Sequence, residues 1–233
     1  MHAPSPARHN MYGFIHKALR HFLGDTLVAL GRLDVTDAPE TDAVLAQTRQ
    51  LLALCRMHLE HENRFVHPAL EACDPGSATR IAGEHVHHEE DIALLLDQVD
   101  AVDATRGDVP ACMAAANRLY RHMAVFAGEN LIHMDYEERE HNATLWAHYT
   151  DAQLHAIEGA IVAALTPATS ALSMRWMLPA LSHPERVGLL EGLRANAPAP
   201  VFGGALAAAR ERLGARDWDK LSASLALEQA VAA

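Results

Sequence analysis

From about residue 9 to residue 141, apolar residues return at alternating steps of three and four, the period of a helix that buries one face. Breaks in the pattern divide this stretch into four long segments. The first covers roughly 9–33 and ends at "DVTDAPE" (34–40), with Pro39 in the gap. The second covers 41–66; Pro68 disturbs its last turn, and "CDPGS" (73–77) supplies a turn after it. The third covers 78–102 and closes at "TRGDVP". The fourth starts after Pro110 and continues to about 141. Each is roughly 25 to 30 residues, about 35 to 45 Å at 1.5 Å per residue. Short connections between long helices of matched length make neighbours antiparallel. The pattern therefore predicts an all-α fold, an up-down-up-down four-helix bundle over 1–149.

Residues 150–233 have a different texture and predict a C-terminal helical extension that packs on the bundle or on a second subunit. Its helices are shorter and are punctuated by Pro167, Pro179, Pro184, Pro198 and Pro200. Thr150 with Gln153, and Ser182 with Glu185, have capping-box spacing. "WDKLSASLALEQA" (218–230) reads as a last helix. The region holds only His155 and His183, neither with a carboxylate four residues on, so no ligand cluster is expected in it.

Composition narrows the functional classes. Half of the residues are hydrophobic but only 5% are aromatic, and the apolar content, mostly Ala and Leu, favours helix over sheet. A net charge of −11 argues against nucleic acid and against anionic membranes as partners. No apolar run approaches the roughly 18 residues of a bilayer span, and "MHAPSPARHN" has no apolar signal core. Three cysteines without a CxxC pair read as reduced thiols, so a cytoplasmic location is expected.

The sixteen histidines matter through where they fall. His16, His58, His88 and His133 lie in otherwise apolar stripes, one on each segment, and Glu62 and Glu137 lie in the stripes of His58 and His133. On the third segment Glu84 and His85 both fit the stripe. A buried carboxylate is costly unless it is paired or bound to a metal. Imidazole and carboxylate together suit iron, manganese or zinc. The spacing His-x-x-x-Glu alone does not decide, because it also occurs at His67/Glu71 and His85/Glu89. There Pro68 follows His67 at once, and Glu89 falls off its stripe. His61, His87, His122, His141 and His148 are expected at the surface or around the ligands, and Cys55 and Met123 in the core.

These residues resemble the hemerythrin-like, or HHE cation-binding, family over about 9–148. "HKALRHFL" (16–23), "HLEHENRFVHPALEA" (58–72), "HEEDIALL" (88–95) and "HMDYEE" (133–138) are similar to the family's four helix patterns, in order. The resemblance implies a non-haem di-iron centre. His16, His58, His88 and His133 would each bind iron; Glu62 and Glu137 would bridge the two ions, with an oxo or hydroxo group completing the bridge. Zinc or manganese could substitute. Oxygen-carrying members offer two histidines four apart on the third helix, whereas here Glu84 stands four before His88. Either Glu84 or His85 supplies a further ligand, or that position stays open. The function implied is a cytosolic protein that binds or reacts with O2, peroxide or NO. The alternatives are an oxidoreductase (NO reductase, peroxide removal or oxidase) and an iron or oxygen sensor acting through a partner.

Overall fold

The computed structural model describes residues 8–227, and every regular element among them is helical. Eleven α-helices follow one another: α1 (Gly13–Gly31), α2 (Ala38–His61), α3 (His67–Cys73), α4 (Thr79–Ala104), α5 (Val109–Tyr136), α6 (Asn142–His148), α7 (Asp151–Ala164), α8 (Pro167–Ala180), α9 (His183–Asn196), α10 (Ala199–Arg212) and α11 (Ala215–Ser224). Two π turns, Glu62–Val66 and Glu137–His141, join α2 to α3 and α5 to α6. No single helix among the described residues is long and apolar enough to cross a membrane.

The chain divides into two compact units. Among the described residues, 8–13 and 22–164 form the first; 14–21 and 165–227 form the second. Thus α7, placed by its sequence in the C-terminal extension, belongs with the first unit, and the opening turns of α1 belong with the second.

In the first unit α2 packs on α4, and α4 on α5. The α4 face buries Ile81, His85, His88, Ile92, Leu95, Val99 and Val102, the alternating steps that a helix packed along its length requires. Both α2 and α5 begin earlier than the apolar pattern suggests, because a proline in the first turn lacks only an N–H that has no helical partner there. Asp37 accepts from the Glu40 amide (3.0 Å) and Asp108 from the Ala111 amide (3.1 Å), with Pro39 and Pro110 in those first turns. Pro39 therefore starts a helix rather than lying in a gap.

The π turns change which residues face inward. A stripe continued from Leu51 through Glu62 would bury Phe65 and Ala69. Those two are only half-buried, and Val66 and Leu70 are buried instead. A π turn inserts one extra residue, so everything after it rotates by about 100° relative to a continuous α-helix. Below this turn, Met11, Tyr12, Val66, Leu70, Ala78, Leu145 and Leu154 form one apolar cluster. Tyr149 and Trp146 flank it, donating to the Ala69 carbonyl and the His9 carbonyl, each at 2.8 Å.

The second unit has its own core, built from Leu178, Leu190, Ala205, Ala209, Leu221 and Leu225. Arg186 is buried in it and is satisfied by the Leu178 carbonyl (2.7 Å), the Pro179 carbonyl (3.2 Å) and Asp217 (2.9 Å). The Ser182–Glu185 capping box is formed, as is the reciprocal Thr150–Gln153 pairing in the first unit. Of the final expected helix (218–230), the helical part ends with α11 at Ser224, and 228–230 lie outside the described residues.

Candidate metal centre

His58 and Glu62 stand at the junction of α2 with the first π turn; His133 and Glu137 stand at the junction of α5 with the second. The two halves are built alike, with a histidine on the last α-helical turn and a glutamate opening the π turn. All four side chains are buried, Glu137 completely. Both carboxylates present their two oxygens to different histidines. Glu62 Oε1 lies 3.1 Å from His58 Nε2, and its Oε2 lies 3.5 Å from His85 Nε2. Glu137 Oε2 lies 3.4 Å from His133 Nε2, and its Oε1 lies 3.9 Å from His85 Nε2.

On α4 the structure separates candidates that the sequence left together. His85, 2% exposed, points its Nε2 at His133 Nε2 across 3.2 Å. Glu84 is half-buried; it bonds His133 from the outer side, through Nδ1 at 2.9 Å, and Arg80 at 2.8 Å. His88 is buried beside these groups, with its ring 4.8 Å from that of His133 and 5.9 Å from that of Phe126. Ligand atoms of Glu62, His85, His133 and Glu137 all lie within 4.8 Å of one another; among the described residues His88 joins no such group. Of the two buried α4 histidines, His85, one turn before His88, is thus the one in a group of close ligand atoms. His16 is completely buried on α1, in the part of that helix assigned to the second unit.

The tautomers follow from the outer partners. A carboxylate only accepts, so His133 donates from Nδ1 to Glu84; His85 donates from Nδ1 to the Asn63 side-chain oxygen at 2.8 Å. Both Nε2 atoms are then lone pairs facing each other. A proton cannot relieve this easily. Burial first, and then the charges of His133, His67, His88 and His141, push the His85 pKa down to about 2. A shared cation does relieve it. Nitrogen ligands on one ion, with bonds of about 2.1 Å, stand roughly 3 to 3.5 Å apart. The 3.2 Å separation and three of the four imidazole–carboxylate distances, 3.1, 3.4 and 3.5 Å, match that spacing; the His85–Glu137 distance of 3.9 Å is longer.

The carboxylates make the same demand. Burial, then the charges of Glu62, Glu84 and Glu138, push the Glu137 pKa well above the usual carboxylate range. Burial works against ionisation of Glu84 too, but hydrogen bonds from Arg80 and His133 outweigh it and hold Glu84 below that range. Without a cation, Glu137 and Glu62 share a hydrogen bond; with one, both are free to ionise as ligands. Buried His/Glu groups of the first unit can thus hold a metal ion.

Comparison with protein families, with characterised proteins and with solved structures finds no match.

Two histidines expected outside or around the ligands prove to be interior. His67 is buried, because the π turn ahead of it restores to the core face what Pro68 was expected to spoil. Its ring stacks on His85, 4.9 Å centre to centre. His141 is buried at the end of the second π turn, and its Nδ1 lies 3.1 Å from the Tyr12 hydroxyl. Burial, then His67, push the His141 pKa down to about 4. Together with Glu137 these two make a second group of close ligand atoms. The available signal was the Val66/Leu70 apolar pair, one residue out of phase with the stripe before it. Glu71 is not interior: it accepts from the Gly76 and Ala78 amides at 2.7 and 3.0 Å and closes the turn after α3. His61 and His122 are half-buried, and His87 and His148 are exposed; Cys55 and Met123 are core residues.

A cleft of about 420 Å³ opens beside the centre, lined by Glu84, His88, Glu129 and Ile132 among others. Neither His85 nor His133 is among its lining residues.

Proposed function

We propose that the chain is a hemerythrin-like protein whose four-helix bundle holds two non-haem iron ions and binds or reacts with a small oxidant: O2, peroxide or NO. The residues that would hold the ions are His16, His58, His85, His133, Glu62 and Glu137; His85 replaces His88 on the strength of the ligand geometry. The observation that carries the reading is the pair of Nε2 atoms 3.2 Å apart, of which that of His85 cannot hold a proton cheaply, enclosed by two buried carboxylates. The mixed nitrogen and oxygen set suits iron, and manganese and zinc as substitutes.

When bound, a reduced di-iron pair supplies electrons to the oxidant. The chain's own residues set the conditions. Glu62 and Glu137, each turned toward two histidines, would supply the anionic oxygens that hold the ions. Glu84 and Asn63 hold the imidazoles of His133 and His85 in the ligating tautomer. Ile92, Leu119 and Phe126, all fully buried, keep water from the interior beside them. Tyr12 remains a phenol, because burial first and then the charges of Glu137 and Glu62 raise its pKa; it holds a hydrogen bond with His141 close to Glu137.

Metal analysis of protein purified without chelator from iron-supplemented cells, with visible spectra before and after reduction, tests this. About two irons per chain and a near-ultraviolet band that bleaches on reduction are expected. A metal content near zero would sink the reading.

A further inference from the structure

A cluster of possible ligands lies outside the buried centre, at the corner where the chain ahead of α1 meets α7. His9 Nε2 lies 3.2 Å from Glu158 Oε2, and His155 Nδ1 lies 3.7 Å from the same oxygen. The two imidazole rings are 3.8 Å apart, centre to centre. Ligand atoms of all three residues lie within 4.8 Å of one another. We propose that His9, His155 and Glu158 form a peripheral zinc site that pins the segment ahead of α1 onto α7.

Pre-organisation supports this. Arg8 donates to Asp151 (2.7 Å), to the Trp146 carbonyl (2.7 Å) and to the Tyr149 carbonyl (2.5 Å). Trp146 in turn donates to the His9 carbonyl at 2.8 Å, so His9 is fixed from both sides before any ion arrives. His155 and Glu158 stand three apart on α7, where side chains share a helix face. Two imidazoles, one carboxylate and a water make a four-coordinate zinc set.

Protonation is consistent with ligation. Burial lowers the His9 pKa; the Glu158 charge opposes this and His155 adds to it. Starting from 6.5, the lowered value leaves His9 neutral at pH 7 with a lone pair to donate. A simple ion pair of charged His9 with Glu158 would need the opposite. Two imidazoles in face contact also repel when both are charged, whereas one shared cation serves both. The sequence hid the site: His155 has its carboxylate at the third position rather than the fourth, and its second imidazole comes from residue 9.

None of its three residues belongs to the proposed buried ligand set, and its test separates it from the di-iron reading. Full-length protein is dialysed against Zn2+ and its metal content measured, alongside His155→Ala and Glu158→Gln. His155 is exposed and Glu158 half-buried, so both variants should fold; circular dichroism checks this. Each variant should hold one Zn2+ fewer than the unaltered chain, whatever the buried centre holds. Anomalous diffraction at the zinc edge should show a peak among His9, His155 and Glu158 in the unaltered protein. Equal zinc content in all three proteins, or no peak at this corner, overturns the proposal and leaves the buried centre untouched.

Discussion

A histidine on the correct helix is a ligand only if its ring nitrogen reaches the other donors. His85 and His88 stand within one turn and are both buried, yet only His85 has a nitrogen within 4.8 Å of Glu62, His133 and Glu137. His85→Ala should therefore leave at most one metal ion per chain. His88→Ala should keep both ions and lose about 1–3 kcal/mol of stability through the emptied space. Parallel metal analysis and urea denaturation separate the two; loss of metal from His88→Ala alone would return the third-helix ligand to the position read from the stripe.

At Glu137 the proposed metal ligation and the stability of the metal-free fold make opposite demands. In metal-free protein its folded pKa is raised by burial and by Glu62, Glu84 and Glu138. The unfolded value is about 4.3. Its contribution to stability is thus fully present below that value and is lost as pH rises through the raised folded value. His85 and His141 behave oppositely, with folded values of about 2 and about 4. Their contribution is present above about 6.5 and is lost as pH falls toward those values. Chelated protein should therefore weaken on both sides of an intermediate optimum. At pH 8, Glu137→Gln should stabilise chelated protein by about 1–4 kcal/mol while losing the buried metal. Urea midpoints at pH 5 and pH 8, with and without chelator, check the sign; destabilisation by Glu137→Gln at pH 8 would show that this carboxylate is not buried uncompensated.

At the scale of elements, the two π turns place the centre. Each opens with a buried glutamate proposed as a ligand and shifts the following helix by one residue, bringing His67 and His141 inward. Arg64, exposed in the first turn, can be deleted without removing a buried side chain. The deletion removes the extra residue, so the turn should close to α-helix with Val66, His67 and Leu70 still on the core face. Stability should change by about 1 kcal/mol or less, whereas Leu70→Ala empties core space and should cost about 2–5 kcal/mol. Urea denaturation of the two variants measures this. A loss of about 3 kcal/mol or more on deleting Arg64 would mean that the π turn itself, and not only the phase it sets, is needed for packing.

At the scale of the molecule, the boundary between units falls after Ala164, and α1 contributes to both. Within the second unit Lys17 pairs with Glu185 at 2.5 Å, and the His21 and Trp176 rings are 5.4 Å apart. A fragment ending at Ala164 retains Leu154, which belongs to the first unit's apolar cluster, but strips the 14–21 segment of these partners. Such a fragment should aggregate more readily than the whole chain. It should still bind metal through Glu62, His85, His133 and Glu137, and more weakly, since His16 lies in the stripped segment. Competition with a chromophoric chelator measures this. Affinity equal to that of the full chain would show that the 14–21 segment needs no partner from 165–233.

The sequence alone determined what is local and periodic. Alternating steps of three and four located the long helices, put His58 and Glu62 on one buried face and His133 and Glu137 on another, and capping chemistry marked Ser182–Glu185 and Thr150–Gln153. Tertiary structure decided what depends on rotation within a turn or on distant chain segments. Adjacent positions on a helix differ by about 100°, so the stripe could not separate Glu84 from His85, nor show which α4 histidine reaches His133. A π turn changes the phase by one residue with no mark in a 3.6-residue count, which is why the count left His67 and His141 out of the inward stripes. The meeting of His9 with His155, far apart in sequence, follows from where α7 brings its exposed face, and a periodicity carries no information about that.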